Sequence, residues 1–167
     1  LEFCEGKYKG QRATKETFDE MRACFPECIT VCYVMKESDI RMAFRHPAVM
    51  LASDGLTNKG QGHPRAAGSF PRFLAEFSRK GELSLYDAIE KMTAQPAERL
   101  GLNTKGRLNV GADADITIFD YETICDGATF AEPALHPQGI EYVFIGGEPA
   151  LERGTIVKNC CGKAIRK

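Results

Sequence analysis

Two short runs hold the side chains with the most chemistry in them. Ser53-Asp54-Gly55 sets a carboxylate beside a chain breaker, and His63-Pro64-Arg65 follows after a glycine-rich stretch. A carboxylate there can act as general base on a hydrolytic water or serve as a metal ligand. The guanidinium of Arg65 offers a planar fork that fits a substrate carboxylate. Plainer uses compete: Asp-Gly is a common turn pair, and His63 suits a loop histidine bonded to backbone. His46, just before Pro47, reads as a helix-end residue, and His136, between Leu135 and Pro137, as surface loop. Asp113 and Asp115 in GADAD are spaced like metal ligands but precede a strand, so turn hydrogen bonds are the expected use. The sequence contains no HxH, HExxH or CxxC.

These residues need elements to place them. TKETFDEMRACF (14–25) reads as a helix capped by Thr14 and stopped by Pro26. ITVCYV (29–34) is β-branched and apolar almost throughout, the pattern of a strand covered on both faces in a parallel sheet. ESDIRMAFR (37–45) is helical up to His46-Pro47, and AVMLAS (48–53) reads as a second apolar strand. The order strand, helix, strand predicts a βαβ unit with Asp54 at the carboxyl end of its last strand, where ligands of parallel α/β folds bind. A loop dense in breakers follows: Asp54-Gly55, Gly60, Gly62, Pro64 and Gly68. Residues 70–80 then predict a helix with Pro71 near its first position, residues 85–92 a helix capped by Ser84, and Pro96 a short helical turn closed by Gly101. From residue 104 no useful helical period remains. ITIF precedes YVFIGGEPALERGTIV, which reads as three strands joined by Gly-Gly and Arg-Gly turns. The expected division is an α/β part, 1–103, and a β part, 104–167.

With 167 residues the chain suits one domain, or one and a half. It is too short for a complete (β/α)8 barrel, which takes about 250. Its 43% hydrophobic and 27% charged residues are globular values. A net charge of −1 gives no electrostatic reason to expect nucleic acid or an anionic membrane. No apolar run reaches the roughly 18 residues of a membrane span. The chain opens Leu1-Glu2-Phe3-Cys4 and reads as a piece of something longer. Seven cysteines is an odd number for a disulfide scaffold, which favours free thiols and a reducing, cytoplasmic setting. Cys24, Cys28 and Cys32 recur every four residues, but Pro26 and a β-rich run separate them, which argues against a closed structural zinc site.

VMLASDG, GHPRAAGSFPRFLAEF, LSLYDAIEKMTAQPAERLGL and KGRLNVGADADITIFD resemble the C-terminal part of D-aminoacylases, the N-acyl-D-amino-acid deacylases of the amidohydrolase superfamily. The resemblance runs from about Tyr33 to the end. SDG together with HPRxxG[ST]FPR is quite specific to that branch, whereas KMTAQPAERLGL and GxxADIxxFD are shared more widely. The resemblance implies the last two β/α units of a metal-bearing (β/α)8 barrel, with ITVCYV and AVMLAS as its final strands, plus part of a small β-sandwich. It implies that Asp54 lies at the metal and moves the proton of the hydrolytic water, and that Arg65 holds the substrate's α-carboxylate. His63 falls in the same motif as a substrate-binding candidate.

The substrate so implied is a small-molecule N-acyl-D-amino acid, and the cofactor is zinc in the full-length enzyme. The family's HxH and its further ligands fall in segments this chain lacks. A catalytic zinc needs three protein ligands, so none is expected to bind stably to this chain alone, and the chain alone is expected to be inactive. Other readings are an amidohydrolase of the dihydroorotase or hydantoinase type, and a non-catalytic interaction domain of the same fold. Two apolar strands with no neighbours would leave open edges. Self-association, or pairing with the missing N-terminal part, is therefore expected, with no nucleic-acid or membrane partner.

Overall fold

The computed structural model describes residues 1–58 and 61–165. Gly60, one of the loop breakers, and the last two residues of the expected β part lie outside them. The chain starts with β1 (Glu2–Phe3) and α1 (Lys15–Cys24). Thr14 caps α1 as expected, its hydroxyl accepting the Thr17 N–H at 3.2 Å while the Thr17 hydroxyl accepts the Thr14 N–H at 2.9 Å. Then come β2 (Thr30–Val31) and α2 (Glu37–Arg45), which stops at His46 before Pro47. A hairpin of β3 (Thr57–Asn58) and β4 (Gln61–Gly62) leads into α3 (Arg65–Phe73). After α4 (Leu85–Met92) and α5 (Ala94–Arg99), the chain turns to β5 (Ile116–Phe119), β6 (Ile140–Ile145), β7 (Glu148–Glu152) and β8 (Thr155–Ile156). Ser84 caps α4, its Oγ accepting the Asp87 N–H at 3.0 Å. The molecule is thus mixed α/β with small sheets. No described helix is long and apolar enough to cross a membrane.

Three expectations need correction. ITVCYV forms only the two-residue β2, and its partner is β1, antiparallel, with Phe3 opposite Thr30. The N-terminal segment occupies the backbone groups that a parallel neighbour would need: Cys4 N–H donates to Ile29 O (2.9 Å), and the Glu5 carboxylate accepts the Ile29 N–H (2.8 Å). AVMLAS is not a strand at all but irregular chain. The helix expected at 70–80 begins earlier, at Arg65, and carries Pro71 in its interior. A single π turn, Leu74–Ser78, continues it. Without an N–H, Pro71 cannot bond the Ala67 carbonyl. Three residues beyond the ring's position the register lengthens, with Arg79 N–H donating to Leu74 O at 2.9 Å.

The last four strands form an antiparallel meander in the order β5-β6-β7-β8, with turns at Gly146-Gly147 and Arg153-Gly154 where the sequence places them. The core is shared along the chain. Phe73, Leu74, Phe77, Ala88 and Leu51 pack with Ile124 from the segment after β5, and Phe44, Phe119 and Ile140 press against them. The rings of Phe44, Phe73 and Phe77 lie 4.8–5.1 Å apart in tilted and edge-on pairs, the arrangement that aromatic quadrupoles favour.

The irregular stretch that leads to Asp54 is held by side chains of the KMTAQPA run. Lys91 is 5% exposed, and its Nζ donates to His46 O (2.7 Å) and Val49 O (2.8 Å). Gln95 Nε2 donates to Pro47 O, and Leu51 N–H donates to Lys91 O at 3.1 Å. This is where the backbone groups of 46–51 find partners in place of a strand ladder. Lys91→Met keeps the bulk but removes both donors. It should cost about 1–3 kcal/mol of stability, read as a lower urea midpoint at unchanged slope. A loss below about 0.5 kcal/mol would mean the carbonyls have other partners.

Candidate functional site

Asp54 lies at φ 44°, in the left-handed region. Few non-glycine residues go there, and Asp is among those that do. Ser53 Oγ accepts the Gly55 N–H at 3.4 Å. Gly55 then lies flat against α3, where a Cβ would sit 2.4 Å from Ala66 Cα. A side chain at 55 would push the two segments apart, so only glycine permits this approach. The β3–β4 hairpin pairs Thr57 with Gly62 and brings His63-Pro64-Arg65 back to the start of α3. Asp54 and Arg65 thereby meet, with Arg65 Nη2 2.8 Å from Asp54 Oδ2.

The pair is open to water, with side-chain exposures of 85% for Asp54 and 45% for Arg65. Exposed ion pairs contribute about 0.2–1 kcal/mol, so another carboxylate that enters can replace Asp54 on the guanidinium at little cost. Asp54 occupies the open position expected for it, although the chain before it is irregular rather than a strand.

His63 joins the same cluster through its backbone neighbour. Its Nδ1 accepts the Arg65 N–H at 3.1 Å, which leaves the proton of the neutral ring on Nε2. Burial, then the nearby Arg65 and Arg72 guanidinium groups, hold the imidazole below its ordinary 6.5. The ring of Phe130 stands edge-on to it, 5.0 Å away at 78°. Phe130 went unmarked in the sequence because it lies in an aperiodic stretch after β5. Lys91 and Gln95 went unmarked as anchors although their motif was visible.

The other sequence candidates serve local structure. His46 ends α2, its Nδ1 accepting the Ala48 N–H at 3.2 Å, and His136 is exposed in a loop. Asp113 accepts from Thr104 Oγ1 (2.9 Å) and pairs with Lys105 (3.1 Å), while Asp115 pairs with Lys105 and accepts the Gly146 N–H (2.8 Å). Their hydrogen bonds with Lys105 hold both carboxyls below the usual aspartate range. The seven cysteines are unpaired thiols. Among the described residues no three His, Cys, Asp or Glu side chains gather in a way that could hold a metal ion. Of the residue types that hold zinc, Asp54 and His63 both lie at Arg65, fewer than the three protein ligands of a catalytic zinc.

Residues 35–150 match the model of the amidohydrolase family. An N-acyl-D-glutamate deacylase of Alcaligenes xylosoxydans xylosoxydans is 41% identical over 147 residues, 86% of this chain and 30% of that protein. A D-aminoacylase of the same organism is 33% identical over 138 residues, 82% of this chain and 28% of its own length. The solved N-acyl-D-glutamate deacylase from Bordetella bronchiseptica, complexed with zinc and a phosphonate mimic of the tetrahedral intermediate, superposes with a TM-score of 0.67 at 40% identity, covering 70% of this chain and 25% of that one. Dihydroorotases match over a shorter part of the chain. The chain thus spans about 30% of the length of the first of these relatives.

His63 gives the site a pH signature. A lowered imidazole value means that the folded state takes up its proton later than the unfolded chain as pH falls. The stabilising contribution is complete above 6.5 and is lost as pH falls from there through the folded value. An NMR titration of the His63 ring protons should show a midpoint below 6.5. A midpoint at or above that value would contradict the burial and charge assigned to this ring.

Proposed function

Because the chain belongs to the amidohydrolase family, we propose that it is the C-terminal portion of a zinc-dependent deacylase that hydrolyses the acyl-amide bond of N-acyl-D-amino acids. The observation that carries the reading is the meeting of Asp54 and Arg65 at 2.8 Å on an open surface. It sets a proton acceptor beside a group that grips carboxylates, as a reaction on an acylated amino acid requires. The deacylase likeness over most of the chain supports the same substrate class.

In this reading the chain carries the last two β/α units of a (β/α)8 barrel. Residues 1–103 belong to that barrel and 104–167 to a β-sandwich. An Asp54 carboxylate oxygen takes the proton of the attacking water and returns it to the leaving amine nitrogen. Arg65 turns from Asp54 to the substrate's α-carboxylate and fixes the amide over the base. His63, kept neutral, donates its Nε2–H to the bound substrate. Zinc, when bound, lowers the pKa of a water and polarises a carbonyl; this chain brings Asp54 to it, and the remaining ligands come from sequence outside the chain. The unpaired thiols support a reducing, cytoplasmic setting.

In the whole protein Asp54→Asn should lower kcat about 10²–10⁴-fold with the fold intact, whereas Arg65→Ala should act mainly through KM. Removal of metal by a chelator should abolish hydrolysis of N-acyl-D-amino acids, and added zinc should restore it. An Asp54→Asn enzyme that keeps more than about a tenth of wild-type kcat would remove Asp54 from the mechanism.

Tyr33, Val34 and Met35 are 50%, 81% and 70% exposed, a run of large apolar side chains next to β2. Such a patch supports cover by further polypeptide, from the rest of the protein or from a second copy. Residues 1–167 expressed alone should associate at micromolar concentration in sedimentation. A monodisperse 18.4 kDa species would show that the patch is tolerated in water.

A further inference from the structure

His63 is constrained from two sides. One is the Arg65 N–H on its Nδ1 at 3.1 Å. The other is Phe130, which reaches the site from the far side of the chain, out of the segment between β5 and β6. That segment is tied down along its length. Arg79 Nη1 donates to Tyr121 O, Glu122 O and Ile124 O at 2.8–3.1 Å. Asp126 packs onto α3 at Gly68, where a Cβ would come within 2.9 Å of its Cβ. Cys125 and Gln138 then close the loop as a backbone bridge, with Gln138 N–H donating to Cys125 O at 3.0 Å. Phe130 therefore sits on a loop with fixed ends. Behind it stands Tyr33, ring centroid 6.0 Å away and edge-on at 71°. Tyr33 is itself fixed, its hydroxyl donating to Glu2 Oε2 (2.9 Å) and its face covered by Arg12 at 4.0 Å. Phe130 is thus backed by a braced ring and presses on the imidazole. The other ring nitrogen, Nε2, has no hydrogen-bond partner among the described residues, and in the neutral ring it carries the proton.

We propose that Phe130 is a positioning residue for His63: wedged between Tyr33 and the imidazole, it sets the plane of the ring so that Nε2–H is held ready to donate to the substrate beside Arg65. The proposal rests on the deacylase reading only for what the donated hydrogen bond grips; the wedge itself is a matter of packing. It makes the segment after β5 a part of the site.

The test uses the whole protein with Phe130→Ala and Phe130→Tyr, each with and without His63→Ala. Phe130→Ala should raise KM for an N-acyl-D-amino acid about three- to tenfold, the range that loss of an edge-on aromatic contact corresponds to, with kcat changed less than about twofold. Phe130→Tyr keeps the edge and should restore KM. In the His63→Ala background Phe130→Ala should add nothing. An equal effect of Phe130→Ala in both backgrounds, or no effect in either, would overturn the proposal. NMR of histidine labelled with 13C gives a readout that needs no turnover. Phe130→Ala should shift the His63 ring resonances, and Phe130→Tyr should bring them back towards wild type. Unmoved His63 resonances would overturn the wedge even in an active enzyme. A wild-type protein that leaves N-acyl-D-amino acids intact would sink the deacylase reading, while the NMR comparison would still decide the wedge.

Discussion

The Lys91 amino group is buried, and it is the contact on which the placement of Asp54 depends. A polar group taken out of water must find partners inside the protein. Lys91 finds them in the carbonyls of His46 and Val49. Those bonds, with Gln95 on Pro47 and the Leu51 amide on the Lys91 carbonyl, fasten an otherwise irregular stretch to α4 and α5. Leu51 then enters the core beside Phe73 and Phe77, and the chain emerges at Ser53 in a fixed place. Three residues after its last tether, Asp54 has little freedom left.

A second constraint acts on the other side of Asp54. Gly55 lies too close to Ala66 for any side chain, so the loop and the start of α3 are set against each other. The contact converts a distance along the chain into an ion pair across the loop. The pair is exposed, and for that reason exchangeable. A carboxylate that approaches the start of α3 meets the Arg65 guanidinium and an imidazole whose Nδ1 is already engaged by the Arg65 N–H. An exposed guanidinium of this kind can exchange Asp54 for another carboxylate.

The site also draws on both stretches of the chain. Ile124, Phe119 and Ile140 pack against the same core as the helices, and Arg79 and Gly68 anchor the segment that carries Phe130 to His63. The β-rich part is therefore more than an appendage to the helical part.

Much of this was legible from residue types alone. Thr14 and Ser84 announce helix starts because a hydroxyl can satisfy a free N–H locally. Pro47 announces a stop because its ring bars the α conformation before it. The Gly-Gly and Arg-Gly turns announce the final meander because few residues tolerate their backbone angles. Asp54, His63 and Arg65 were visible as candidates because a carboxylate, an imidazole and a guanidinium fall close together around a glycine-rich loop, although turn and backbone roles suit Asp54 and His63 as well. What the sequence could not decide was partnership. Whether ITVCYV and AVMLAS become strands depends on which backbone groups lie beside them, and those come from elsewhere: Glu2–Phe3 for the first, Lys91 and Gln95 for the second. Pro71 suits a helix start equally well, and only the turns built from Arg65 onward place it inside. Phe130 carries no local signal at all, since what makes it matter is an imidazole more than sixty residues earlier in the chain. Local hydrogen bonding and steric limits are written in neighbouring residues; contacts between distant segments exist only once the chain has folded.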